Sequence, residues 1–250
     1  MREHFTLPDW SSLAVADDDR LPLLATALLI ARDEYPELDA DLYDTLLQSH
    51  AEHLRPQVEA SDEWPLKMAA INQHLFEELG YKGDRDEYYD PRNSYLNEVF
   101  ERRLGNPISL ALVQIEVARR LGVPLDEEEL RRRARPHLGG EAPDDHALGQ
   151  ILHPATHRAI LMRMLRNLHG VYTDRDDWER AARCADRILR LAPDSSDALR
   201  DRGLAYLKMG HRHGARTDLA RYLQLNPEAP DSGPLRERVV ELSSAASRPN

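Results

Sequence analysis

The sequence predicts a mostly α-helical protein in two parts, with at most a small sheet. Three observations carry that reading. Apolar residues recur at steps of three and four along almost the whole chain. Adjacent alternating runs joined by a turn, the mark of paired strands, are missing. The last third resembles itself at a spacing of 34 residues, the length of a helical hairpin. At 250 residues, the chain is long enough for each part to bury a core.

The elements follow from local chemistry. Leu21-Pro22 opens the first helix, with proline where a missing N–H costs nothing, and Tyr35-Pro36 breaks it. Asp39 caps the next, which carries Tyr43, Leu46, Leu47 and Leu54 on one side and is expected to end at Pro56. A third begins near Pro65. Its stripe is Met68, Ile71, Leu75 and Leu79, and Gly80 follows as a left-handed C-cap. Residues 81–93 are turn-rich. Ser94 is expected to cap a helix running to Leu104, with Gly105 ending it. Asn106-Pro107 restarts the chain as cap and first helical residue. The helix from Pro107 to Leu121 is apolar nearly all round, which predicts the buried centre of a domain. Residues 126–135 read as a charged helix with three i,i+4 Glu–Arg pairs, and residues 136–156 as a linker or surface loop.

Shifted by 34, Leu165 falls on Leu199, Tyr172 on Tyr206, Ala181 on Ala215, Leu189 on Leu223, Leu191 on Leu225 and Pro193 on Pro227. This is the period of the tetratricopeptide repeat. Small residues let two antiparallel helices approach, aromatics fill the gap, and proline stops the second helix. Two repeats fall short of the usual minimum of about three. They are expected to lean on the first part on one side. On the other, a capping helix carries Leu235, Val239 and Leu242 after Gly233-Pro234. The expected division is therefore 1–150, then 155–242, then a tail at 243–250. The first helix of each hairpin faces a groove in such repeats. Arg163 and Arg166 in the first, and Arg200 and Lys208 in the second, project to that side by periodicity. Cations there suit a carboxylate-bearing peptide, so the expected partner is another protein or peptide.

Between residues 71 and 125 the text becomes specific. The blocks FEELGYKGDRDEYYDPRNSYLNEV and RRLGNPISLAL, then DEEELRRRA and PATHRAILMRMLRNLHGVY, resemble the SirB-type family. Its members join a transglutaminase-like domain to C-terminal tetratricopeptide repeats. The resemblance covers nearly the whole chain from about residue 20. It implies a reduced transglutaminase-like helical domain in front of the repeats. In that fold a cysteine at the start of a buried helix is activated by a His and an Asp on neighbouring strands. Here Ser109 stands at or near that place. After LGVPL, where the family continues into the stretch bearing His and then Asp, this sequence passes from Leu125 directly into DEEEL. The resemblance thus implies a degenerate domain without the Cys/His/Asp triad, and no enzyme. The alternative is a hydrolase or transamidase, transglutaminase- or cysteine-protease-like, that uses Ser109 with a base from His137, His146 or His153.

The remaining chemistry is thin. With 33 Lys+Arg against 44 Asp+Glu, the net charge of -11 opposes a nucleic-acid-coating function. No apolar run reaches the roughly 20 residues that a membrane span needs, and no basic leader precedes Leu21, so a cytoplasmic protein is expected. The single cysteine, Cys184, cannot close an intramolecular disulfide, and it reads as inert packing. His153 and His157, with His146 or Asp145, have zinc spacing, but Pro154 interrupts them, and no metal or cofactor is expected. Asp84, Asp86 and Asp90 lack the glycine and glutamate of a calcium loop. Asp90-Pro91 and Asn93-Ser94 read instead as turn and cap chemistry, with Arg92 pairing the nearby acids and Tyr88, Tyr89 and Tyr95 packing the loop on the buried helix. His211 and His213 fall at an exposed hairpin turn. Without the family's strands, helix 107–121 needs another cover: the repeat hairpins, the helix at 21–34, or a second copy of the chain in a homodimer.

Overall fold

The structure is a computed structural model that describes residues 4–123 and 156–246. Helices dominate it, and the chain divides into two compact units. One comprises Met1–Pro8 with Asp17–Leu161, the other Asp9–Ala16 with Met162–Asn250. A short helix, α1 (Trp10–Leu13), therefore belongs to the second unit although it lies near the start of the chain.

In the first unit, α2 (Leu23–Arg32) is buried nearly all round, from Leu23 to Leu28 and again at Ile30 and Ala31. The Asp39 carboxylate accepts the Asp41 N–H at 3.1 Å and caps α3 (Ala40–Glu59). Pro56 does not end α3 as expected. The missing N–H costs one ladder bond near the C-terminus, and the extra turn buries Val58 at 2% exposure. Next, α4 (Trp64–Asn72) runs into a π-helical turn, Gln73–Glu78, in which the Leu79 N–H reaches back five residues to the His74 carbonyl at 2.9 Å. Met68, Ile71 and Leu75 form the buried stripe, and Gly80 takes φ +76° at its end.

Among the described residues the sheet is two parallel strands of two residues each. In it β1 (Lys82–Gly83) pairs with β2 (Leu104–Gly105), Lys82 opposite Leu104. Between them lie a turn-rich segment and α5 (Leu96–Arg102). The α5 boundaries differ from expectation at both ends. Ser94 does not cap it, because its hydroxyl accepts the Asn106 side-chain N–H at 2.8 Å and serves the next helix instead. Arg103 rather than Gly105 ends it, in the left-handed conformation at φ 58°. Gly105 is reserved for close approach: a Cβ there would lie 2.6 Å from the Ser109 hydroxyl and 3.2 Å from side-chain carbons of Leu110 and Val99.

The turn segment folds on its own carboxylates. Asp84 accepts the Glu87 N–H at 3.0 Å and an Arg102 N–H at 3.0 Å. Asp90 accepts the Arg92 N–H at 2.9 Å and the Arg92 Nε–H at 2.7 Å, so the expected turn-and-pair chemistry holds. The Asn93 amide donates to the Glu87 carbonyl at 2.8 Å. Tyr95 is buried, but Tyr88 and Tyr89 are 55% and 68% exposed and stack edge-on with each other instead of packing on the helix. The loop is closed by the Asp84, Asp90 and Asn93 side-chain bonds, with these two rings outside it.

The next helix, α6 (Pro107–Arg120), is not buried all round. It buries Ser109, Leu112, Val113, Glu116, Val117 and Ala118, while Ala111 is exposed and Leu110 and Ile115 are half-buried. Its cover is mainly α3 and α4, with α2 and α5 at the margins. A buried ion network locks it to α3. Glu116, 2% exposed, accepts from Arg120 at 2.6 Å and Arg119 at 2.9 Å, and Arg120 reaches Asp44 at 2.6 Å.

In the second unit, α7 (His157–Asp174), α8 (Trp178–Leu191), α9 (Ser196–Lys208) and α10 (Arg212–Leu225) form the two hairpins. The first turn of α7 still belongs to the first unit, where His157 Nδ1–H donates to the Leu21 carbonyl at 2.7 Å. Gly203 lets α9 and α10 touch, since a Cβ there would sit 2.8 Å from Leu219. Gly214 does the same for the Tyr206 ring at 2.9 Å. Helix α1 packs on α8, with the Arg187 guanidinium 4.7 Å from the centre of the Trp10 ring. At the other end α11 (Ser232–Ala246) lays Leu235 and Val239 against Leu199, Leu219 and Tyr222. It continues through Ala246, into the stretch read as a tail. The charged helix expected at 126–135 and the linker expected at 136–156 lie outside the described residues, apart from Thr156.

Gly105→Ala forces the Ser109 hydroxyl and two packed side chains to move, and should lower the first unit's stability by about 1–3 kcal/mol in urea denaturation. The Glu87 N–H and Arg102 hold the Asp84 carboxyl below its ordinary pKa against the opposing effect of burial. A depressed carboxyl stabilises the fold above its unfolded pKa of about 3.9 and loses that contribution as pH falls. Asp84→Asn should therefore be less stable than wild type at pH 7, with the difference shrinking below about pH 4 in urea titrations at stepped pH.

Candidate functional site

The start of α6 is a closed polar knot. The Asn106 side-chain oxygen accepts the N–H groups of Ile108 and Ser109 at 3.0 and 2.9 Å. The Ser109 hydroxyl, fully buried, lies 2.7 Å from the Asn93 carbonyl and 3.0 Å from the Asn106 carbonyl, its two acceptors. The Asn106 N–H donates to the same Asn93 carbonyl at 3.0 Å. Among the described residues, neither an imidazole nor a carboxylate is hydrogen-bonded to Ser109. The bases considered for it, His137, His146 and His153, lie outside the described residues.

The second unit contains a polar cavity of about 290 Å³ between α7, α8 and α9. Arg166 and His169 line it from α7, and Asp197, Arg200 and Asp201 from α9, with Ser195 at the α9 N-cap. Two of the four expected groove cations therefore converge. Arg166 is exposed and makes no ion pair among the described residues. Arg200 is half-buried and already engaged, 3.3 Å from Asp201, 3.4 Å from Asp231 and 5.9 Å from the Tyr222 ring centre. Arg163 is exposed and does not line the cavity, and neither does Lys208, whose ammonium lies 5.2 Å from the centre of the Trp178 ring.

Periodicity picks out the cations but passes over their neighbours. His169 follows Arg166 by three residues, which puts both on one helix face. Burial holds its pKa below the ordinary value, with Asp201 opposing and Arg200 reinforcing, so the imidazole is neutral at pH 7. The cavity thus offers two guanidiniums, a neutral imidazole and two carboxylates, a mixed surface instead of a purely basic one. Below it, Arg202 ties the hairpins together. Its fork is bidentate on buried Asp218 at 2.7 and 2.9 Å and reaches Asp186 at 2.7 Å. The Cys184 thiol is buried within α8, and His211 and His213 are exposed. Of the histidines weighed as metal ligands, His157 alone is described, and its Nδ1 is occupied by the Leu21 carbonyl.

Comparison with known proteins agrees with this two-part architecture. The family model of the transglutaminase-like superfamily matches residues 41–128, and that of a tetratricopeptide repeat matches residues 168–239. Among the described residues, no helix is long and apolar enough to cross a membrane. No solved structure matches the chain. A UPF0162 protein of Xylella fastidiosa is 60% identical, with 98% of each chain covered. A UPF0162 protein of Vibrio cholerae is 25% identical, over 93% of this chain and 96% of its own. Protein SirB1 of Salmonella typhimurium is 27% identical, over 81% of this chain and 85% of its own. The alignment to the Xylella protein spans 275 positions, more than the 250 residues present here, so that relative carries residues without a counterpart in this chain. On the evidence of that identity and coverage, the chain belongs to the UPF0162 and SirB1 family, whose architecture joins a transglutaminase-like domain to tetratricopeptide repeats.

Proposed function

We propose that this protein is a non-catalytic binding or scaffolding protein that holds a carboxylate-bearing peptide of a partner in the cavity between α7 and α9. The observation that carries this reading is the convergence of Arg166 and Arg200 on one cavity beside a neutral His169. Arg166 has no ion-pair partner among the described residues, and a guanidinium recognises a carboxylate with two parallel hydrogen bonds. Asp197 and Asp201 give the same cavity acceptors for the peptide's own N–H groups or for a basic side chain. Tetratricopeptide repeats are interaction modules, and neighbouring helices that pack through Gly203 and Arg202 give a rigid surface that loses little order on binding.

The rival hydrolase needs Ser109 to reach a substrate. Its hydroxyl is buried and donates to backbone carbonyls, so it is already spent on the fold. An activated serine instead donates to a base that can take its proton.

A peptide library with free and amidated C-termini, read by fluorescence anisotropy on the full chain, tests the proposal. Peptides retained by the wild type should require a carboxylate and should weaken as salt rises. Arg166→Glu should weaken them roughly 10- to 100-fold, the equivalent of about 1.5–3 kcal/mol for a charge-assisted hydrogen bond, with unchanged far-ultraviolet dichroism. Arg166 is exposed, so the variant should fold. Equal affinity for amidated peptides, or full affinity in Arg166→Glu, would overturn the assignment.

A further inference from the structure

The first unit holds a cluster that none of the preceding chemistry uses. His50 and His53 lie three apart on α3, and His74 and Glu78 four apart on the π-helical turn that packs beside it. His74 is the centre. Its ring is buried at 6% exposure, its Nδ1 lies 2.9 Å from Glu78 Oε2, and its Nε2 lies 3.3 Å from His50 Nδ1. The His53 ring is close as well, its centre 5.0 Å from that of His74 with the planes tilted by 32°. One ligand atom each from His53, His74 and Glu78 can be chosen so that all three lie within 4.8 Å of one another.

We propose that His53, His74 and Glu78 form a zinc site, with His50 supporting it through the far nitrogen of His74. Two imidazoles and a carboxylate are a donor set that zinc takes, leaving a fourth position for water. Zinc bonds of about 2.0–2.2 Å place tetrahedral ligand atoms roughly 3.3–3.6 Å apart. The ligand atoms here spread over up to 4.8 Å, and His53 and Glu78, the exposed members, would close inward on the buried His74 ring when the ion binds.

The second shell is also present. Ligating imidazoles usually give their other N–H to an acceptor that fixes the tautomer. If Nδ1 faces the metal beside Glu78, Nε2–H points at His50 Nδ1. That nitrogen lies 3.3 Å from the His74 ring, within reach of the N–H it would accept. The π turn is part of the construction. Widened turns recur at functional sites, and this one brings the imidazole and carboxylate of a single turn to one ligand position.

The test is isothermal titration of Zn²⁺ into the untagged full chain after chelator treatment, with thermal unfolding in parallel. The expected result is one Zn²⁺ per chain, a raised melting temperature, and no competition from millimolar Mg²⁺, which prefers oxygen ligands. His53→Ala and Glu78→Gln, both at exposed positions, should each weaken binding at least about tenfold and abolish the thermal shift while dichroism stays unchanged. The double variant His211→Ala, His213→Ala should bind as wild type does. No Zn²⁺ uptake by the wild type, or undiminished uptake by both His53→Ala and Glu78→Gln, would overturn the site and leave the cluster a hydrogen-bonded packing motif.

Discussion

The first turn of α6 buries Asn106 and Ser109 beneath the turn-rich segment, and its backbone N–H groups still need acceptors. A helix start leaves such groups without intrahelical partners, and leaving one unmet in the interior costs on the order of 1–3 kcal/mol. This chain meets the demand with its own polar side chains. Asn106 takes two of the N–H groups, and the Asn93 carbonyl receives the Asn106 N–H and the Ser109 hydroxyl. Asn93 is held in turn by Glu87 and Arg102, and Arg102 by Asp84. The turn-rich segment is thus the cover of a helix terminus. Asp84 and Asp90 are spent on backbone N–H groups and arginines, and the absence of a Cβ at Gly105 is what lets Ser109 come this close. The Ser109 hydroxyl is one of the donors in this knot, 2.7 Å from the Asn93 carbonyl and 3.0 Å from that of Asn106.

The second unit solves a different problem, that of two repeats with exposed ends. Helix α1 covers one end through Trp10 and Leu13, and α11 covers the other through Leu235 and Val239. Arg202 crosses from α9 to acids on α8 and α10, a bridge that single-helix periodicity does not reveal. With both ends closed, the cavity under Arg166 and Arg200 belongs to a frame that is already complete. That is the condition under which a few polar groups can give specificity at a small cost in ordering.

Much of this was legible from residue patterns. The 34-residue spacing, the caps at Asp39 and Asn106, the left-handed Gly80 and the α11 stripe all rest on local or short-period rules, and each appears where those rules place it. What escaped depends on partners far apart in sequence. The histidine cluster joins residues 24 apart through a turn whose width no residue type announces. The apolar outline of α6 hid Glu116, because a carboxylate can be buried when two arginines and a neighbouring helix neutralise it. Pro56 marked a stop that tertiary burial of Val58 overrode. Tyr88 and Tyr89, expected to pack their loop on the buried helix, instead stand exposed against each other, while Tyr95 is buried.

Ser109 serves either the fold or a reaction, and its reactivity in the folded chain separates the two. A fluorophosphonate probe incubated with the native full chain, followed by peptide mass spectrometry, reads that directly. The prediction is no adduct on Ser109 under native conditions. Stoichiometric modification of Ser109 by the folded protein would contradict it, and would return the α6 terminus to the role of an active site.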